Sequence, residues 1–219
     1  MHTMSENTNT VAFPLAVLKP VKEPRLYTLS EYLKREERAS ELNEYYNGII
    51  TKLPMAKGPH NIIVANITTA LMNTFSANNK EYIVMSSQQL VYLPDFNFSL
   101  YPDVLVVSET PQYWDKNEVL LINPLLIIEV LSKSTKKYDR TDKFNAYKTL
   151  PSFKEYLLIE QDTCQVETRF REEPFLWRES ICKNISEKIE LKSVGCAIDL
   201  SLIYKNISFT NINSLEKPK

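Results

Sequence analysis

The 219-residue chain has only three glycines, two histidines and three cysteines, and each shortage closes off a class of chemistry. Gly48, Gly58 and Gly195 are too few and too scattered for a phosphate-cradling glycine loop or a dinucleotide-binding fingerprint. His2 lies in the opening segment, so a histidine-based triad or zinc site would rest on His60 alone. Cys164, Cys182 and Cys196 are odd in number and far apart, which fits neither a disulfide framework nor a zinc pattern. They read as small core or surface residues of a protein in a reducing cytoplasm. The G-x-S-x-G nucleophile elbow is absent. No apolar run approaches the roughly 20 residues of a membrane span. The formal net charge of -1 gives no global basic signature for nucleic acid or an anionic membrane. The tools left for chemistry are carboxylates and lysines.

What is present is the composition of an ordinary soluble globular protein, with 43% hydrophobic and 24% charged residues. That length suits one domain. The opening MHTMSENTNT is polar and lacks the apolar core of a signal peptide, so residues 1–27 read as a tail and lead-in. Residues 28–210 read as a single domain and 211–219 as a second tail.

Local patterns order the domain. Thr28 and Glu31 have capping-box spacing at the head of a helix over 28–38. Asn47-Gly48 marks a hairpin turn within EYYNGIITKL. Pro59 opens an amphipathic helix in which Ile63, Ile67, Leu71 and Phe75 recur every four residues, and His60 in its first turn reads as a surface or capping residue. Strands are expected at 82–93, 102–108 and 124–131. A helix over 136–149 follows, capped by Ser134 or Thr135, and then strand-like segments from 155 onward. This order predicts an α/β or α+β mixed sheet flanked by helices, with a β-rich C-terminal extension.

Within PLLIIEVL every position from Leu125 to Leu131 is apolar except Glu129. Such a run reads as a strand buried on both faces, where an unpaired carboxylate costs several kcal/mol. Asp103 interrupts a second apolar run, PDVLVV. Two carboxylates in one dry site raise each other's pKa unless a cation lies between them, and hard oxygen ligands suit Mg²⁺ or Mn²⁺. The structural alternative is that Asp103 closes a turn and Glu129 pairs with a basic side chain.

On the helix after that strand, Asp139, Lys143 and Tyr147 fall at i, i+4 and i+8 and form one stripe. From there Lys143 could reach the carboxylates, although spacing alone describes an exposed Asp139–Lys143 ion pair equally well. Between Lys133 and Lys154 stand seven basic residues (Lys133, Lys136, Lys137, Arg140, Lys143, Lys148 and Lys154) against Asp139 and Asp142. That patch suits a phosphodiester backbone, or is a solvated helix face.

The runs YPDVLVV, PLLIIEVLSKST and YDRTDKFNAYKTLPSFKEYLLIEQD resemble the Uma-two family of the PD-(D/E)XK nuclease superfamily. The similarity extends back to NEYYNGIITKLP and PHNIIVANITTAL and forward to CAIDLSLIY, over roughly residues 28–204. It implies a restriction-endonuclease-like fold and metal-dependent cleavage of DNA. Asp103 then corresponds to the PD aspartate and Glu129 to the (D/E) position, both holding Mg²⁺ or Mn²⁺, with the Val130 carbonyl as an extra ligand. Glu44 matches a further acidic position of the metal shell. Leu131 stands where the superfamily lysine would fall, and Lys143 is its replacement as the catalytic lysine. Asp139 and Tyr147 would support these groups, while Lys133, Lys136, Lys137 and Arg140 would contact the DNA backbone. A homodimer would supply two sites for two strands. The competing reading is a non-catalytic binding or assembly module in which Lys143 neutralises Glu129 and no metal binds.

Overall fold

The computed structural model describes residues 25–86 and 88–209; the expected tails fall almost entirely outside them. Helix α1 (Leu29–Glu36) begins with the expected capping box, in which Thr28 and Glu31 exchange side-chain and backbone hydrogen bonds. Strands β1 (Asn43–Tyr46) and β2 (Ile49–Lys52) form an antiparallel hairpin. Its turn places Asn47 at φ 43° and Gly48 at φ 100°, the left-handed pair that a tight two-residue hairpin requires. Helix α2 (Gly58–Ala77) buries Ile63, Ile67, Leu71 and Phe75, the stripe read from the sequence.

The stretch expected as one strand over 82–93 is two strands in two different sheets. β3 (Ile83–Ser86) and β4 (Leu90–Leu93) are parted by a break in which Gln88 takes φ 95°. β5 (Phe98–Leu100), β6 (Val104–Val107), β7 (Leu120–Leu121) and β8 (Leu126–Leu131) follow. The chain then forms α3 (Lys136–Tyr138), a π-helical turn (Asp139–Lys143) and α4 (Phe144–Tyr147), which together make one composite helix. Thr135 occupies the position before this helix, but its side chain bonds the Ser132 hydroxyl at 2.9 Å and caps no backbone amide of the helix. β9 (Glu155–Glu160), β10 (Val166–Glu173), β11 (Leu176–Cys182), β12 (Lys188–Leu191), β13 (Cys196–Asp199) and α5 (Leu200–Ile203) complete the described fold.

Six strands form the main sheet in the order β11-β10-β9-β8-β6-β3. β8 and β9 are parallel, joined through the composite helix, and the other neighbours are antiparallel. A second sheet has the order β2-β1-β5-β4-β7, and β12 and β13 pair as a separate hairpin. The protein is thus the expected mixed α+β architecture of sheets flanked by helices. The extension past β9 is β-rich as expected: it widens the main sheet and then adds the separate hairpin.

Strand parity divides the interior. Val104, Val106, Leu126, Ile128 and Val130 face α2, α5 and the β12–β13 hairpin. Leu105, Val107, Ile127 and Leu131 face the composite helix and the second sheet, where Phe144, Tyr147, Leu93 and Leu100 meet them. A third cluster, with Tyr32, Tyr45 and Tyr92, lies beneath α1. Among the described residues no helix is long and apolar enough to cross a membrane.

Because α2 shares the cover of one face of the main sheet with α5 and the β12–β13 hairpin, its buried stripe contributes to the stability. Ile67→Ala is expected to lower the unfolding free energy by about 2–5 kcal/mol. Met72→Ala on the same helix, at a side chain 57% exposed, should move the urea midpoint little; equal midpoint shifts for the two would count against this packing.

Candidate functional site

The same parity explains Glu129. Ile127, Glu129 and Leu131 alternate onto the face of β8 that meets the composite helix. Antiparallel pairing sets Val104 opposite Ile128, and one further step of that register sets Asp103 opposite Glu129. Two carboxylates that are 26 positions apart in sequence therefore share one end of two adjacent central strands.

Lys143 comes to them from the helix. It is buried, and its ammonium lies 2.9 Å from Glu129 Oε1 and 3.3 Å from Glu44 Oε1. Its third contact is the Tyr101 carbonyl at 2.9 Å. The ammonium thus donates to a carbonyl and stands within ion-pair distance of two carboxylates. The exposed Asp139–Lys143 pair that spacing permitted is not what forms: both side chains are buried, and Lys143 is directed at the glutamates.

Glu44 is fixed from both sides. Its Oε1 also accepts from the Tyr101 amide at 3.0 Å, and its Oε2 accepts from the Tyr46 hydroxyl. Tyr46 in turn shares a hydrogen bond of 2.6 Å with the Tyr138 hydroxyl, so the cluster continues to the start of the composite helix. Tyr147 donates to Glu129 Oε1 at 3.4 Å. Asp103 Oδ2 accepts from the Val130 amide at 2.7 Å and lies 3.1 Å from His60 Nε2. His60 is therefore not a free surface residue. It closes over Asp103 from the first turn of α2.

The charges of this region are out of balance. Glu44, Asp103, Glu129 and Asp139 face one ammonium and one imidazole. Burial pushes the Glu129 carboxyl well above the usual range; Lys143 opposes that shift, while Asp103 and Asp139 add to it. Burial likewise raises Asp139, to about 6, with Lys143 and the Thr135 hydroxyl pulling against it. For Lys143 burial acts downward, but Glu129 and Glu44 outweigh it and keep the ammonium charged. For His60 burial also acts downward, and its hydrogen bond to Asp103 with that carboxylate's charge more than offsets it.

The surface residues behave differently. Lys133, Lys136 and Lys137 are exposed. Arg140 is half-buried and paired with Glu160 at 3.1 Å and Glu167 at 2.8 Å, and Lys136 approaches Glu160 at 3.5 Å. Among the described residues no group of three or more His, Cys, Asp or Glu side chains is arranged to hold a metal ion. Asp103 and Glu129 are thus a two-carboxylate set, and Glu44 joins the site through Lys143. Sequence reasoning missed His60, Tyr46, Tyr101 and Tyr138. Of these only His60, as the one histidine outside the opening segment, carried a signal in composition.

Comparison with known proteins bears on the family and the fold. The family model described as "Uma2: Putative restriction endonuclease" matches residues 29–201. "Uncharacterized protein sll1609" of Synechocystis sp. (strain ATCC 27184 / PCC 6803 / Kazusa) is 35% identical over 147 residues, 67% of this chain and 82% of that protein. "Uncharacterized protein slr1290" of the same organism is 29% identical over 179 residues, 82% of this chain and 92% of that protein. Among solved structures, one described as a putative nuclease belonging to DUF820 from Anabaena variabilis superposes with a TM-score of 0.64 at 18% identity, covering 81% of this chain and 97% of that chain. The fold is therefore shared with that structure, and the chain belongs to the Uma2 family.

Proposed function

We propose that this protein is a divalent-metal-dependent nuclease that hydrolyses DNA phosphodiester bonds, using Mg²⁺ or Mn²⁺. The observation that carries the reading is the convergence of Asp103, Glu129 and Lys143 at one end of β6 and β8. The family description as a restriction endonuclease supports it.

The donor set fits such an ion. Mg²⁺ is commonly held by one or two carboxylates, with water and substrate phosphate filling the other positions, so two carboxylates suffice. Here Asp103 and Glu129 would hold it, with the Val130 carbonyl alongside. Surplus negative charge in a buried site is what a cation relieves, and the upward push of Asp103 and Asp139 on Glu129 is that surplus. When bound, the ion supplies Lewis-acid polarisation of the phosphate and a more acidic water.

The chain's own side chains do the rest. Lys143 would supply the superfamily's lysine chemistry, orienting the attacking water or offsetting charge developing on the phosphate. Glu44 and the Tyr101 carbonyl fix its ammonium, and Tyr147 steadies Glu129. Asp139 adds negative charge from behind. Lys133, Lys136 and Lys137 would meet the DNA backbone without reading sequence, and Arg140 would reach it only by leaving Glu160 and Glu167. Cutting both strands of a duplex takes two such sites, which a homodimer would provide.

One observation favours a second reading. The Glu129 charge is already met by Lys143 at 2.9 Å, as expected of a non-catalytic binding or assembly module. Metal titration separates the two. Wild-type protein should bind Mn²⁺ in calorimetry and nick supercoiled plasmid with Mg²⁺ or Mn²⁺, and Glu129→Ala should lose both. Absence of binding and nicking in the wild type would leave the module reading; nicking that survives in Glu129→Ala would move the site elsewhere.

Buried charge also sets a pH dependence. The Asp139 carboxyl rises from 3.8 to about 6 in the folded state, so its contribution favours the fold below pH 4 and is lost as pH rises through 6. Asp139→Asn should therefore gain stability relative to wild type across that window, by up to about 3 kcal/mol above pH 6. Chemical denaturation of both proteins between pH 4 and 7 reads this directly, and a difference independent of pH would contradict it.

A further inference from the structure

We propose that Tyr156 and Arg169 clamp the π-helical turn from the main sheet and so set the reach of Lys143, as positioning residues of the site. The proposal rests on the role given to Lys143 above.

Three sets of contacts carry it. Tyr156 on β9 and Arg169 on β10 are direct cross-strand partners, so both project from one face of the sheet toward the composite helix. Each donates to a backbone carbonyl of the π turn. The Tyr156 hydroxyl bonds the Asp139 oxygen at 3.1 Å, and Arg169 Nη1 bonds the Arg140 oxygen at 2.7 Å. Successive carbonyls at one end of the widened turn are thus met by neighbouring side chains of the sheet. A side chain that inserts into the i→i−4 ladder is a recognised cause of local helix distortion, and π turns recur at functional sites.

The same two side chains grip the residue that follows Lys143. The Phe144 ring stacks on Tyr156 with centroids 5.4 Å apart and planes 10° apart, and the Arg169 guanidinium lies 4.7 Å from the Phe144 ring centre. Glu167 completes the frame. Its Oε1 accepts from Arg169 Nη2 at 2.8 Å, and its Oε2 accepts from Arg140 Nη1 at 2.8 Å. The backbone is therefore held on both sides of Lys143, whose ammonium has to meet Glu129, Glu44 and the Tyr101 carbonyl together. One residue more or less in a turn rotates one flank against the other by about 100°. A turn relaxed to ordinary α geometry would part the Lys143 contacts from the Phe144 stack. The clamp thus does for a lysine on a helix what a strand backbone would do for a lysine at position 131.

The test follows the ammonium itself. In protein with ¹⁵N-labelled lysine, the shielded Lys143 Nζ should give a slowly exchanging resonance, assigned by its loss in Lys143→Met. Tyr156→Phe keeps the ring stack and removes one hydroxyl; Arg169→Lys keeps the charge and removes the fork. Both should shift or broaden the Lys143 resonance. Phe75→Leu, a core change on the opposite face of the sheet, should leave it in place. In the plasmid assay the two clamp variants should lose about 10- to 100-fold in kcat with KM near wild type. A Lys143 resonance that stays at its wild-type position in Tyr156→Phe and Arg169→Lys, or that moves as far in Phe75→Leu, overturns the clamp. Wild-type protein that cleaves no DNA would overturn the nuclease reading, and the resonance would still decide the clamp.

Discussion

The Lys143 ammonium is the contact on which the rest of this structure turns. An ammonium is tolerated in a protein interior only when its charge is met and its protons are donated. Here one acceptor comes from β8, one from β1 of the second sheet, and one from the Tyr101 carbonyl ahead of β6. A single side chain thereby joins the composite helix to both sheets. Glu44 transmits the constraint further, because the Tyr101 amide and the Tyr46 hydroxyl hold it in turn. Removing one partner of a buried ion pair commonly costs about 3–5 kcal/mol. The site and the fold cannot be separated at this point, and variants of Lys143 must be judged on stability as well as activity.

Strand β8 supplies the second constraint. It contributes to two cores at once, Leu126, Ile128 and Val130 toward α2, and Ile127 and Leu131 toward the composite helix. A strand loaded on both faces cannot slip by one residue without exchanging the two sets. Glu129 is locked to the helix side by the same pairing, and the antiparallel register with β6 brings Asp103 opposite it. The carboxylate pair is therefore positioned by apolar packing. Parity chooses the face, register chooses the partner, and the Val130 amide orients the second carboxylate once it has arrived.

How much of this was legible depended on how local each cause is. The Thr28–Glu31 box, the Asn47-Gly48 turn and the α2 stripe are set by neighbours within a few residues, and all three stand in the structure as read. Glu129 was legible because it broke a pattern. The run over 82–93 misled because its two apolar segments flank a short polar stretch without glycine or proline, where the chain changes sheets and Gln88 takes a left-handed backbone. The i, i+4 spacing of Asp139 and Lys143 is the same for an exposed pair and a buried stripe; burial is decided by partners 14 to 99 positions away. His60 and Asp103 meet across 43 positions, and the π turn is met by side chains from two later strands. None of these has a local signal to read.

Leu131 shows where motif spacing stops being a guide to chemistry. Two positions after Glu129, it shares that residue's face of β8 and is packed among Phe144, Tyr147 and Leu158. A lysine there would approach Glu129 from along its own strand. In this chain the approach comes from above, through the helix that crosses from β8 to β9, and leucine fills the volume left at 131. By that route the positive charge stands 2.9 Å from Glu129. A side chain that reaches its partners from a helix depends on how that helix is held. Here the hydrogen bonds from β9 and β10 meet the carbonyls of Asp139 and Arg140, in the widened turn that ends at Lys143.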